Sequence, residues 1–130
     1  MTAPLIVPKS VITVGIGTLR THFPGVVIRS RAPTGTWPKR FIRFSRIGGP
    51  KDYAIDRAFV LVECFASTEA GGRDSSQAEA DALLAYTVLE STPNGIQYFT
   101  GGPIAELDDP DRETHARFQF TATVGILVAG

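Results

Sequence analysis

From Arg117 to Ala129 the chain alternates without a break. Phe118, Phe120, Ala122, Val124, Ile126 and Val128 fall on one side, and Arg117, Gln119, Thr121, Thr123 and Gly125 on the other. A period of two held this long describes a β-strand with one wall in a core and one mostly polar. Ala58 to Ala66 (AFVLVECFA) is apolar on both sides apart from Glu63. That pattern marks a central strand covered on both faces.

Other segments supply what surrounds these two. Arg40 to Ile47 (RFIRFSRI) reads as a strand stopped by Gly48-Gly49-Pro50, and Val26 to Arg31 as a shorter one. Ala32 to Pro38 is a Pro/Gly/Thr loop. Ile96 to Thr100 is a further strand, followed by a second Gly-Gly-Pro at 101–103. Ser76-Gln77-Ala78-Glu79 has the spacing of a capping box, and Ala80, Leu83, Leu84, Thr87 and Val88 repeat at helical spacing to about Glu90. Ser10 to Phe23 is read as a first helix, with Ser10 as N-cap, Val11, Val14, Leu19 and Phe23 on one face, and Pro24-Gly25 as the stop. Its β-branched run Val11-Ile12-Thr13-Val14 would also suit a strand, and Gly15 and Gly17 weaken the helix.

The order is α-β-β-β-α-β-β. Hairpin-length links among the first three strands favour an α+β fold with a mixed, largely antiparallel sheet of about five strands, packed by one or two helices. The 130 residues fit one domain, 1–130. Phe118, Phe120, Val124 and Ile126 are expected to pack on Leu83, Leu84 and Val88 of the second helix.

No apolar run approaches the roughly 20 residues that span a bilayer. Met1 to Pro8 lacks the basic start and long apolar stretch of a signal peptide, so synthesis in the cytoplasm is expected. Net charge is zero, but it is unevenly spread. Residues 1–60 hold ten Lys/Arg against Asp52 and Asp56, a balance of +8; residues 61–130 hold three Arg against eleven acids, a balance of −8. If the halves segregate in space, subunits can dock positive face to negative face, the geometry of a head-to-tail ring.

Residues suited to carry chemistry are sparse. Gly15-Ile16-Gly17 begins like a dinucleotide fingerprint, but the third glycine and the βαβ setting are missing. His22 and His115 have no partner at ligand spacing and read as surface residues. Cys64, the one cysteine, excludes an intrachain disulfide and reads as core packing. Glu63 needs a partner, and an arginine of the adjacent strand, Arg43 or Arg46, is the expected one. Asp108, Asp109 and Asp111 read as a solvated turn, since the proline among them does not suit a calcium loop. Arg40, Arg43 and Arg46, interleaved with Phe41 and Phe44, do not share one strand face, which argues against a nucleic-acid surface. No catalytic, cofactor-binding or metal-binding residue is assigned, and the chain is expected not to be an enzyme.

An ordered set of features resembles the tail terminator proteins of long-tailed phages, especially those of actinobacteria. It comprises the arginine-rich strand ending in Gly-Gly-Pro (residues 41–50), Asp56-Arg57 leading into Val60 to Ala66, and the alanine-rich stretch Ala78 to Leu89. Then come Gly101-Gly102-Pro103 with Asp109-Pro110, and the closing strand Arg117 to Val124. The resemblance covers about Val26 to Gly130. It implies a virion protein that forms a six-fold ring on the finished tail tube, stops tube growth, and presents a docking face to the head connector. Its partners would be other copies of itself, the tube protein and a head-completion protein, with DNA passing through the lumen and no membrane or cofactor involved. A neighbouring head-completion or tail-completion subunit is one alternative. A small oligomeric enzyme with a site at a subunit boundary is another. For a ring, the candidate contacts are Arg40, Arg43, Arg46 and Lys51 on one subunit against Glu106, Asp108, Asp109 and Asp111 on the next.

Overall fold

The computed structural model describes residues 10–50, 55–68, 74–93, 95–111 and 113–127. Lys51, Val128, Ala129 and Gly130 lie outside them. The elements run α1 (Val11–Arg20), β1 (Val27–Arg29), β2 (Arg40–Gly48), β3 (Ile55–Ala66), α2 (Ser75–Glu90), β4 (Ile96–Gly101), β5 (Ala105–Glu106) and β6 (Ala116–Leu127). One sheet holds the strands in the order β1-β2-β3-β6-β4, with β5 also on β6. The fold is α+β and the sheet is mixed and mostly antiparallel, as the patterns predict.

The two strands most legible in the sequence form the centre. β3 and β6 pair antiparallel from Ile55↔Leu127 to Ala66↔Ala116 without a register shift. β2 lies antiparallel on the far side of β3. β1, by contrast, runs parallel to β2, with Val27 opposite Phe41. The link over residues 30–39 is therefore not a hairpin. It returns the chain to the start of β2 and lays Trp37 against Phe41 and Phe65, with ring centroids 5.4 and 4.9 Å away. The second Gly-Gly-Pro ends β4 at Gly101, but the chain does not leave the edge. β4 and β5 follow the same edge of β6, Gly101 opposite Ala122 and Ala105 opposite Gln119. Three residues, 102–104, thus face two on β6. Pro103 has no N–H for a ladder, so the edge breaks there as a bulge.

Both helices cover one face of the sheet. That face carries Ile42 and Phe44 of β2, Val60, Val62 and Cys64 of β3, and Phe120, Val124 and Ile126 of β6, all buried. Gly15 of α1 is buried against the Phe44 ring, and a Cβ there would fall inside contact distance of it. The glycine that weakens the helix locally is what lets α1 lie on the sheet. Ser10 is the N-cap by position but makes no side-chain cap bond.

The capping and facing of α2 differ from expectation. Asp74, not Ser76, is the N-cap; its Oδ1 accepts from the Gln77 N–H at 3.0 Å and from the Ser76 hydroxyl at 3.0 Å. The helix buries Ala78, Asp81, Ala82, Ala85, Val88 and Leu89. Leu83 and Leu84, expected in the core, are 51% and 41% exposed. The reason is size. Phe120 and Phe99 rise from the sheet toward Tyr86, with centroids 5.2 and 5.1 Å from its ring. A helix lying over such large side chains must present small ones to reach contact distance. The alanine stripe does so, and the leucines turn outward.

Two substitutions separate these faces. Ala85→Leu should destabilise the chain by about 1–3 kcal/mol through overpacking. Leu84→Ala should change the isolated subunit by no more than about 0.5 kcal/mol. Urea titrations of both variants check this, and the reverse order would mean that α2 is rotated.

Candidate interaction surfaces

β2 places an arginine every third residue, and each meets a buried acid of the same chain. Arg40 holds Asp81 of α2 through two bonds, Nε to Oδ2 at 3.1 Å and Nη2 to Oδ1 at 2.7 Å. Gln77 also donates to Asp81, at 3.0 Å. Arg43 donates from Nε to Glu63 Oε1 at 2.7 Å. Arg46 donates to Asp56 Oδ2 at 2.6 Å and to the Gly49 carbonyl at 2.8 Å. Asp56, Glu63 and Asp81 are each at most 3% exposed. The hydrogen bonds to Asp81 and Asp56 raise Arg40 and Arg46 above the ordinary guanidinium value. Gly49 makes the Arg46 corner possible: its φ is +102°, and a side chain there would strike the Arg57 carbonyl.

Glu63 has the arginine partner that its setting demands, Arg43, and a second that the sequence did not suggest. Arg117 Nη1 of β6 lies 3.1 Å from Glu63 Oε2, while its Nε donates to the Leu107 carbonyl at 2.7 Å. The carboxylate therefore bridges three adjacent strands.

Each of the three arginines named as a ring contact has a partner within its own subunit. Arg40 and Arg46 point to the helix side and Arg43 to the open side, and all three hold acids of their own subunit. Two of the pairs join a base of the first half of the chain to an acid of the second, so part of the +8/−8 split is neutralised inside one subunit. Reversing Arg43 and Arg46 to Glu would set new carboxylates against Glu63 and Asp56 and disturb the fold. Among the acids, Glu106 is exposed on β5, and Asp108 and Asp111 are exposed in the turn that follows. Asp109 is partly buried, 3.9 Å from Arg117, and its Oδ1 accepts from the Asp111 N–H at 2.9 Å.

His22 is exposed at the end of α1, as expected. His115 is not a surface residue; it is 5% exposed, with Nε2 at 2.8 Å from the Pro38 carbonyl and its ring 5.6 Å from Trp37. Its position ties the 30–39 link to the start of β6. Cys64 is fully buried. Burial, then the charges of Asp81 and Glu63, push its thiol well above the ordinary value, against a smaller opposing effect of Arg40. Among the described residues no three His, Cys, Asp or Glu gather as a metal site, and no helix is long and apolar enough to cross a membrane. An open groove of about 560 Å³ between α1 and the residues Pro93 and Gly95 has hydroxyls and His22 along it but no described Asp, Glu, Lys or Arg.

Among the described residues, two surfaces each gather at least two exposed large apolar side chains, and Leu107 stands 50% exposed apart from them. One is the sheet face opposite the helices. Trp37 covers one end of it, the Arg43–Glu63–Arg117 bridge fills the middle, and Ile47 and Phe59 stand 58% and 50% exposed toward the other end. Beside them is a shallow groove of about 350 Å³, edged by Thr100, Thr121 and Thr123. The other surface is the outer side of α2, with Leu83 and Leu84 between the exposed Glu79 and Glu90. Compared with known proteins, the chain matches no protein-family model and no curated protein.

Removing one partner of a fully buried ion pair costs about 3–5 kcal/mol. The Arg43 side chain is 35% exposed and can turn to water, so Glu63→Ala should cost less, about 2–3 kcal/mol. Arg117→Ala should cost more than Arg43→Ala, because Arg117 is only 16% exposed. Chemical denaturation of the three variants checks the order. A second test uses Cys64. Its pKa is raised on folding, so the stabilisation it contributes is complete below the thiol's unfolded range and declines as pH rises through it. Alkylation at mildly alkaline pH should then track global unfolding, whereas rapid labelling of the folded chain would contradict its burial.

Proposed function

We propose that this chain is a structural virion subunit, the ring that caps a phage tail tube, as in the tail terminator proteins it resembles. The observation that carries the reading is the placement of large apolar side chains outside the subunit on two opposite sides. Leu83 and Leu84 point away from the core on α2, and Ile47 and Phe59 stand on the bare sheet face. An apolar patch rimmed by polar groups marks a protein contact. A subunit covered on two different sides suits a ring. The buried acids fit such a role, because they are held by arginines of the same subunit and serve the fold.

In this reading the ring sits at the head-proximal end of the tail, in a virion assembled in the host cytoplasm. It stops tube polymerisation and offers its free face to the head connector. DNA passes through the lumen without sequence-specific contacts, and no cofactor takes part.

The experiment is complementation. Tails assembled without the native terminator form overlong tubes that do not join heads, and adding this protein should yield capped tails of normal length that do. Overlong tubes that persist in its presence would overturn the proposal. Normal tube length without the protein, with head joining still dependent on it, would move it to the neighbouring completion ring.

A further inference from the structure

We infer that copies of this chain dock head to tail, the outer face of α2 in one copy lying on the bare end of the sheet face in the next. This interface rests on the ring reading above and specifies its self-contact. The first argument is apolar surface. The outer face of α2 carries Leu83 and Leu84, and the sheet face carries Ile47 and Phe59 beside a groove of about 350 Å³ that can take a leucine side chain.

The second argument is charge. α2 contains Glu79, Asp81 and Glu90 and no Lys or Arg; Asp81 is buried, so the outer face shows the two glutamates. By strand register, the sheet face carries Arg29, Arg43, Arg57 and Arg117 against Glu63, with Asp109 3.9 Å from Arg117 at its edge. The helix surface is therefore acidic and the sheet surface basic. Helix against helix would bring acids together, and sheet against sheet would bring arginines together. Only the unlike pairing is attractive at both its apolar centre and its charged rim.

The third argument is geometry. The two surfaces lie on opposite sides of a two-layer subunit, so using one leaves the other open. Such a contact repeats, and it closes as a ring if the rotation between subunits allows. The 16 residues of α2 extend about 24 Å, and the four strands β2, β3, β6 and β4 span about 14 Å from axis to axis. One helix can thus reach across all four.

The test uses two double variants of the full chain. Leu83→Lys with Leu84→Lys gives a basic helix surface, and lysine keeps the helix propensity. Ile47→Glu with Phe59→Glu gives an acidic sheet surface. Sedimentation across a concentration series up to millimolar should show wild-type self-association. Each variant alone should raise the dissociation constant by about tenfold or more. The equimolar mixture should recover association, because the basic helix meets the acidic sheet and the native surfaces meet each other. Circular dichroism and protection of Cys64 confirm folding. If the sheet variant unfolds, Ile47→Glu alone, at the end of β2, takes its place. A wild-type chain monomeric at every concentration, a variant that associates like wild type, or a mixture without recovery would each overturn the interface. Recovery in the mixture, with tails left uncapped by the wild-type protein, would keep the interface and remove the terminator reading. Wild-type capping with no effect of either variant on association would do the opposite.

Discussion

Glu63 sits near the centre of the sheet, and its carboxylate is almost sealed from water. A charge in that position must be paired, and its partners come from both neighbouring strands, Arg43 at 2.7 Å and Arg117 at 3.1 Å. That demand ties β2, β3 and β6 to one register, in which Arg43, Glu63 and Gln119 lie side by side. A slip by one residue would turn Glu63 into the helix-covered core and carry Val62 and Cys64 out of it. Asp81 and Asp56 extend the same constraint to α2 and to the start of β3, each through another arginine of β2. The arginine-rich strand thus clamps the subunit, tying β3, β6 and α2 to one register.

Packing, in turn, decides which large apolar side chains are left at the surface. Phe44 requires a glycine above it in α1, and α2 meets Phe120 and Phe99 with Tyr86 and a buried alanine stripe. That facing turns Leu83 and Leu84 outward. The outer surface of α2 and the bare end of the sheet face are therefore consequences of how the core is filled, and they lie on opposite sides of the layers. The aromatic corner of Trp37, Phe41, Phe65 and His115 closes only one end of the sheet face.

The central strands and the fold class were legible because period-two alternation and continuous apolar runs report burial directly. Both helices were legible in extent, but the buried face of α2 was not. Apolar residues surround that helix, so periodicity alone cannot choose between the leucine side and the alanine side; the size of the opposing aromatics, known only from the fold, decides. The arginine partner of Glu63 could be read from strand adjacency, whereas Arg117 becomes a neighbour only through the pairing of β3 with β6. Asp56 and Asp81 gave no local signal of burial, which is why their pairing with Arg46 and Arg40 was not legible. The parallel pairing of β1 was hidden because a link of this length can either turn back or cross over. β5 is too short to show a period, and His115 is buried by a tertiary contact with Pro38.

Electron cryomicroscopy of tail tubes grown in the presence of the wild-type protein tests the proposed role most directly. A single ring at one tube end is predicted, expected to be six-fold, with α2 of each subunit resting on the sheet face of the next. Protein bound along the tube wall, or subunits paired about two-fold axes at the tube end, would contradict it.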